Sequence, residues 1–436
     1  MLKKYLGFAS IIAVFWSLFQ LYQAGVDPLS AQVQRAIHVS FALALTFALV
    51  RRGENSRILF VRYFDYLLVF FALFSGAYVY KEAERIQSRI AFVSELTMID
   101  YTVCIVIVLM VLEASRRTVG KAMTLLAAFF LIYAFAGPYF PGMLQHSGLS
   151  LKRMIETMYF SVEGVLGVPI GVATDYVFYF VLFAAFLELS GGGKLFIDLS
   201  LKATNRLRGG SSKAAIFASG GMGTISGSAV ANVASTGVFT IPLMKKGGYS
   251  PKFSASIEAL ASTGGQLLPP IMGAAAFIMA DTLGIPYTQI ALAALIPAIL
   301  YYAGLYVMVD LQAKKLGITA NKELDAKKES IVNKLHLLLP LVLLLFLIFS
   351  GKTLQLSAFW AIVAVVAVSY FRKSTRMGPT AVLDALISVA KQAIQVSIPC
   401  AVAGIVVGVI THSGLGLKLS SLIVSLSLGI SLLAVI

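Results

Sequence analysis

Charge is confined along this chain to short clusters, and the intervals between them are apolar runs of about the length that crosses a bilayer. Such runs lie near 5–22, 36–50, 63–80, 93–112, 122–140, 166–189, 253–281, 288–309, 335–350, 357–371 and 379–412, against the roughly 20 mostly apolar residues that a spanning helix needs. A backbone in lipid must satisfy its own N–H and C=O groups, so runs of this kind fold as helices. The expected class is all-α: a polytopic helical membrane protein. Composition agrees, since 58% of the 436 residues are hydrophobic and 13% charged, which leaves too little polar surface for a water-soluble enzyme or scaffold.

The charge clusters also set an orientation. With the N-terminus cytoplasmic and the runs alternating, the inside segments 1–5, 51–62, 113–121, 190–213, 245–252, 310–334 and 372–376 hold 26 of the 35 Lys and Arg. That is the positive-inside bias of a multi-pass membrane protein, and it accounts for the net charge of +15 with no nucleic acid as partner. The apolar stretch Tyr5–Tyr22 lacks a clear small-x-small cleavage site and reads as an uncut first helix. Cys104 and Cys400 lie inside apolar runs without ligand spacing, which supports neither a disulfide nor a zinc site.

One interval breaks the pattern. From Ala214 to Met244 no residue is charged, about 46 Å as a straight helix against a hydrocarbon core of about 30 Å. Both flanks are basic, so both ends belong on the same side, and a re-entrant hairpin satisfies every constraint. Its tip is expected within Ser219-Gly-Gly-Met-Gly-Thr-Ile-Ser-Gly-Ser228, where glycines permit non-helical backbone. Downstream, Ser262-Thr-Gly-Gly-Gln266 and Pro269-Pro270 interrupt the run from Phe253 to Ala280. Two interrupted helices would then face one another. Half-helix N-termini suit an anion, whereas unwound carbonyls and half-helix C-termini suit a cation. The candidate ion- or substrate-binding residues are therefore Thr224, Ser226, Gly227, Ser228 and Asn232 in the hairpin and Ser262, Thr263, Gly264 and Gly265 in the break, with Na⁺ at Ser226, Ser228 and Gly264 as one option. The alternative is structural: glycines that allow close helix packing and hydroxyls bonded to the i−4 carbonyl.

An internal repeat is expected as well. Ser190-Gly-Gly-Gly193, closing one long run, recurs as Ser413-Gly-Leu-Gly416 after another, 223 residues on, with opposite orientation in the membrane. The first repeat is placed at about 150–310 and the second is begun at about 335–436. On this reading the chain stops at Ile436 before its second hairpin, so that the inverted repeat is incomplete.

The segments Met222–Asn232, Phe239-Thr-Ile-Pro-Leu-Met-Lys245 and Ala261-Ser-Thr-Gly-Gly-Gln-Leu-Leu-Pro-Pro-Ile-Met-Gly273 closely resemble the large membrane subunit of tripartite ATP-independent periplasmic (TRAP) transporters, most nearly the TAXI subclass, in which small and large subunits are fused. The likeness covers roughly 150–436. It implies a four-helix small-subunit-like (Q-type) domain over 1–118 and a large-subunit-like (M-type) permease domain over 119–436. It further implies uptake of a carboxylate coupled to Na⁺ or H⁺, no other cofactor, delivery by a periplasmic substrate-binding protein, and an elevator mechanism.

Asp175 falls near the middle of the 166–189 run, where a carboxylate is either a proton carrier or a hydrogen-bonded structural acid. Glu258, six residues beyond Lys252, is expected at the cytoplasmic interface. The basic segment 190–213 is expected either as an interfacial helix or as a solvated loop. An intramembrane serine hydrolase would need a base, and none of His38, His146, His336 and His412 falls in the hairpin region. A non-transporting assembly module is the other alternative.

Overall fold

In a computed structural model, residues 7–26, 28–50, 59–319 and 331–426 are described, the side chains of 59–62 excepted. The basic clusters within 1–5, 51–58 and 320–330 and the chain end at Ile436 lie outside them. The described residues form helices and no strand. In chain order these are α1 (Phe8–Gly25), α2 (Ala31–Leu49), α3 (Leu59–Lys81), α4 (Ala83–Ser88), α5 (Met98–Thr118), α6 (Lys121–Ala136), α7 (Leu151–Tyr159), α8 (Val168–Val172) and α9 (Phe178–Leu189). There follow α10 (Gly192–Thr204), α11 (Gly210–Ser226), α12 (Ala229–Lys246), α13 (Pro251–Gly264), α14 (Ala274–Leu283) and α15 (Tyr287–Lys315). The last four are α16 (Leu339–Phe349), α17 (Leu354–Ser369), α18 (Pro379–Ser413) and α19 (Leu415–Leu426).

Seven of the described helical segments are long and apolar enough to cross a membrane, α8 and α9 joining through a π turn at Ala173–Val177 into one of them. Large apolar side chains stand exposed along α15, among them Leu292, Ile296, Ile299 and Leu300. Water would penalise that surface; lipid does not. The chain is thus a polytopic helical membrane protein.

Helix ends follow local chemistry. Thr97 and Asp100 form a reciprocal capping box at the start of α5, and Ser150, Ser228, Ser250 and Thr353 each accept a backbone N–H at an N-terminus. Long helices end on left-handed glycines at Gly191 (φ +99°) and Gly414 (φ +71°), each followed by a short helix. These are the two places where the sequence pattern Ser-Gly-x-Gly recurs, so the local backbone repeats with it. The basic segment after Ser190 contains the helix α10.

The chain divides into two compact units. The first comprises Met1–Trp16, Pro28–Thr174 and Ile394–Ile436. Its core pairs α2 with α3, where Gly76 lies against Ser40 and the Ser40 hydroxyl donates to Ala72 O at 2.7 Å. Buried polar pairs lie within it: His38 Nε2 is 2.8 Å from Ser397 Oγ, Arg89 donates to Glu156 at 3.1 Å, and Arg117 to Asp65 at 2.8 Å. His412 Nε2 lies 2.5 Å from Glu163 Oε2.

The second unit comprises Ser17–Asp27 and Asp175–Ala393. The almost wholly buried α9 lies within it. Helices α11, α12, α13 and α15 share an apolar core of Ile216, Met244, Tyr249, Ile257, Leu305 and Val309. At the basic end of this core Asp310 takes both Arg208 and Lys213, the latter at 2.7 Å. Burying Lys213 is tolerable because its charge is paired there and its ammonium also lies over the Tyr306 ring at 4.5 Å.

Candidate functional site

The charge-free interval folds as the hairpin α11–α12, and the Gly/Pro-rich stretch breaks α13 from α14. The turn is tighter than its glycine content suggests. Helix α11 continues through Ser226, and of the four glycines only Gly227 leaves helical geometry, with φ +62°. The other three serve packing: a Cβ on Gly220 would meet the Tyr302 ring, one on Gly221 the Phe196 ring, and one on Gly223 the Gly265 Cα.

Gly223 and Gly265 are therefore a point where two backbones cross in contact. Next to it Ile271 N donates to Thr224 O at 3.2 Å, and Gly227 lies against Met272 O. The break itself, residues 265–273, contains a cis Pro269–Pro270 peptide and a left-handed Met272 (φ +64°). Its free carbonyls are tethered by Tyr287, whose hydroxyl lies 2.8 Å from Pro270 O and 2.5 Å from Ile271 O. The Tyr287 ring is in turn stacked on Phe277, with centroids 4.5 Å apart.

The structure brings together most of the residues expected to form a site. Thr224, Gly227, Ser228, Gly264 and Gly265 lie at or beside the crossing, and Ser226 is in the last turn of α11. The carbonyl ends of α11 and α13 and the N–H ends of α12 and α14 meet in this one region, so that dipoles of both signs are available. Ser228 uses its hydroxyl to cap α12, accepting from Ala231 N at 3.3 Å. Asn232 is fully buried and donates to Ser219 O at 2.6 Å. Thr224 donates to Gly221 O at 2.8 Å. Thr263 stands apart: it is exposed, and its hydroxyl bonds its own helix at Ala259 O, 2.7 Å away.

Asp175 is half-buried in the π turn, a distortion often found at functional positions. Its neighbour Tyr176 stacks on Phe277 and, with Asp281, Tyr287 and Lys352, lines a cavity of about 530 Å³.

One expectation is overturned. Glu258 does not lie at an interface with water; it is fully buried between the hairpin and the broken helix. Ser219 and Thr236 donate to its Oε1 at 2.7 and 2.6 Å, Ser262 to the same oxygen at 3.2 Å, and Thr240 to Oε2 at 2.6 Å. Proximity in sequence to Lys252 was misleading, because α13 turns this residue toward α11 and α12. The available signal was Thr236 and Thr240 at i, i+4 spacing on one face of α12.

The described residues thus form an all-helical membrane protein in which a helical hairpin crosses a second, broken helix backbone to backbone. The chain belongs to the DctM component family of tripartite ATP-independent periplasmic transporters, whose family model matches residues 106–436, about three quarters of it. It is 30% identical over 175 residues to the C4-dicarboxylate TRAP transporter large permease protein DctM of Pseudomonas aeruginosa, a match covering 40% of each chain. It is likewise 30% identical over 131 residues to the protein of that name from Vibrio cholerae, covering 29% of this chain and 27% of the relative. The chain spans between about a quarter and a half of the length of the curated relatives it matches.

Proposed function

We propose that the chain is the membrane permease of a secondary active transporter that imports a carboxylate, a C4-dicarboxylate being the first to test, with substrate supplied by a periplasmic binding protein. The observation that carries this reading is the Gly223–Gly265 crossing, where helix ends of both polarities converge on hydroxyl- and carbonyl-rich backbone. N–H groups at the starts of α12 and α14 suit the carboxylate, and the carbonyl ends of α11 and α13, with Ser226, Ser228 and Gly264, suit Na⁺ if sodium is the coupling ion. The hairpin and break travel together in an elevator movement. Residues 1–118 act as a fused small-subunit-like domain of the TAXI type. The protein sits in the inner membrane with its N-terminus in the cytoplasm, so that Lys314 and Lys315 face the cytoplasm and Lys352 the periplasm.

The test is uptake of radiolabelled succinate into liposomes holding the full chain, with its binding protein added outside and either a Na⁺ or a pH gradient imposed. Uptake that needs both binding protein and a gradient is expected. Absence of uptake under both gradients, or uptake indifferent to the binding protein, would refute the reading and favour an assembly module.

A further inference from the structure

The carboxyl of Glu258 lies among Ser219 of α11, Thr236 and Thr240 of α12 and Ser262 of its own helix, and among the described residues no Lys or Arg pairs with it. The other titratable groups on the elements packed against α13 have partners or positions of their own, Tyr287 at the start of α15 being held by the Pro270 and Ile271 carbonyls. Lys213 on α11 is held by Asp310 of α15, and Lys245, Lys246 and Lys252 lie in the end turns of α12 and α13. Lys314 and Lys315 close α15, where Tyr306 lies under Lys213. Tyr301 and Tyr302 of α15 donate their hydroxyls to Leu260 O and Ala261 O at 2.8 and 2.7 Å. Glu258 is thus a buried acid served by hydroxyls alone.

Counting protons shows what such a site can hold. Each hydroxyl carries one. With all four turned inward, an ionised Glu258 receives four hydrogen bonds, as a buried anion without a counter-charge requires. With a proton on Oε2, Glu258 becomes a donor and Thr240 Oγ1 accepts, its own proton turning to Thr236 O at 3.0 Å. Thr236 has the same freedom, with Asn232 O 2.8 Å from its hydroxyl. Both protonation states are satisfied by rotating hydroxyls while the heavy atoms stay in place. The oxygen separations of 2.6–2.7 Å are those of short O–H···O hydrogen bonds.

We propose that Glu258 is a reversible proton-binding site and, resting on the transporter reading above, the group that carries the coupling proton. The proton comes from water on one side of the membrane, forms the O–H bond of the carboxylic acid, and returns to water on the other side; nothing is oxidised or reduced. Its arrival can be felt at the crossing, because Ser219 receives Asn232 through its carbonyl and Ser262 lies one turn before Gly265.

The first measurement needs no substrate. Infrared difference spectra of the full chain in lipid, taken between acidic and alkaline buffer, should contain a buried carboxylic-acid C=O band that is missing in Glu258→Gln. An identical band in that variant, or none in the wild type, overturns the proposal whether or not the vesicles transport. Should Glu258→Gln fail to fold, Thr240→Val, which removes the partner of Oε2 alone, should displace the band; an unmoved band overturns the proposal. In liposomes Glu258→Gln should keep succinate counterflow, which moves no net proton, and lose pH-gradient-driven accumulation at least tenfold. Undiminished accumulation, or wild-type accumulation without acidification of an entrapped pH dye, overturns the coupling role. If no variant and no wild-type vesicle moves succinate, the transporter reading falls, while the infrared comparison still decides proton binding at Glu258.

Discussion

Replacing Gly265 by alanine tests the backbone crossing on which the site depends. A Cβ at that position would overlap the Gly223 Cα and lie 2.7 Å from the Gly223 carbonyl carbon and 3.2 Å from its oxygen. Carbon atoms pack at about 3.5–4.0 Å, so the two backbones must separate by about 1 Å or more. Neither partner is a side chain that could swing aside. Gly265 has φ −59° and ψ −27°, a conformation that alanine adopts freely, so the cost is steric rather than torsional. Overpacking of this kind costs about 1–3 kcal/mol, and stretching the Ile271 N to Thr224 O bond adds up to about 1 kcal/mol. The net expectation is a loss of about 2–3 kcal/mol. Gly304→Ala is the control: it lies inside α15 with no atom within 4 Å of the added Cβ, and should gain about 0.5–1 kcal/mol from helix propensity. Equilibrium unfolding in mixed micelles by a denaturing detergent reads both. A Gly265→Ala protein within about 0.5 kcal/mol of wild type, or no less stable than Gly304→Ala, would show that the backbones do not touch.

Removing the hydroxyl that tethers the break, Tyr287→Phe, should cost about 1–2 kcal/mol and speed amide hydrogen exchange in residues 266–273 above the rest of the unit; unchanged exchange there would mean that Tyr287 does not hold the loop. Cys104 and Cys400 are free and buried, so the folded chain should resist maleimide until it is denatured. On that silent background Lys314→Cys and Lys352→Cys should label from opposite faces of sealed vesicles, and labelling from the same face would refute the proposed orientation.

The sequence by itself determined the membrane class, the hairpin and the broken helix, because each rests on a local rule. Charge is excluded from lipid wherever it occurs, an uncharged interval of fixed length either spans or returns, and paired prolines interrupt a helix whatever surrounds them. The recurrence of Ser-Gly-x-Gly was legible for the same reason, since a left-handed glycine closes a helix locally at Gly191 and Gly414. The tertiary structure alone decided which small residues do what. Gly220, Gly221 and Gly223 read as flexible backbone at a tip and turned out to be helical surfaces that admit Tyr302, Phe196 and Gly265, because the space beside a glycine is set by what packs on it. Thr263 and Ser262 are adjacent and chemically alike, but helical rotation sends one hydroxyl to its own backbone and the other to Glu258. Glu258 shows the limit most clearly. Six residues from a lysine it reads as interfacial, and its burial becomes tolerable only through hydroxyls contributed by α11 and α12, a pairing that exists only once the three helices have packed.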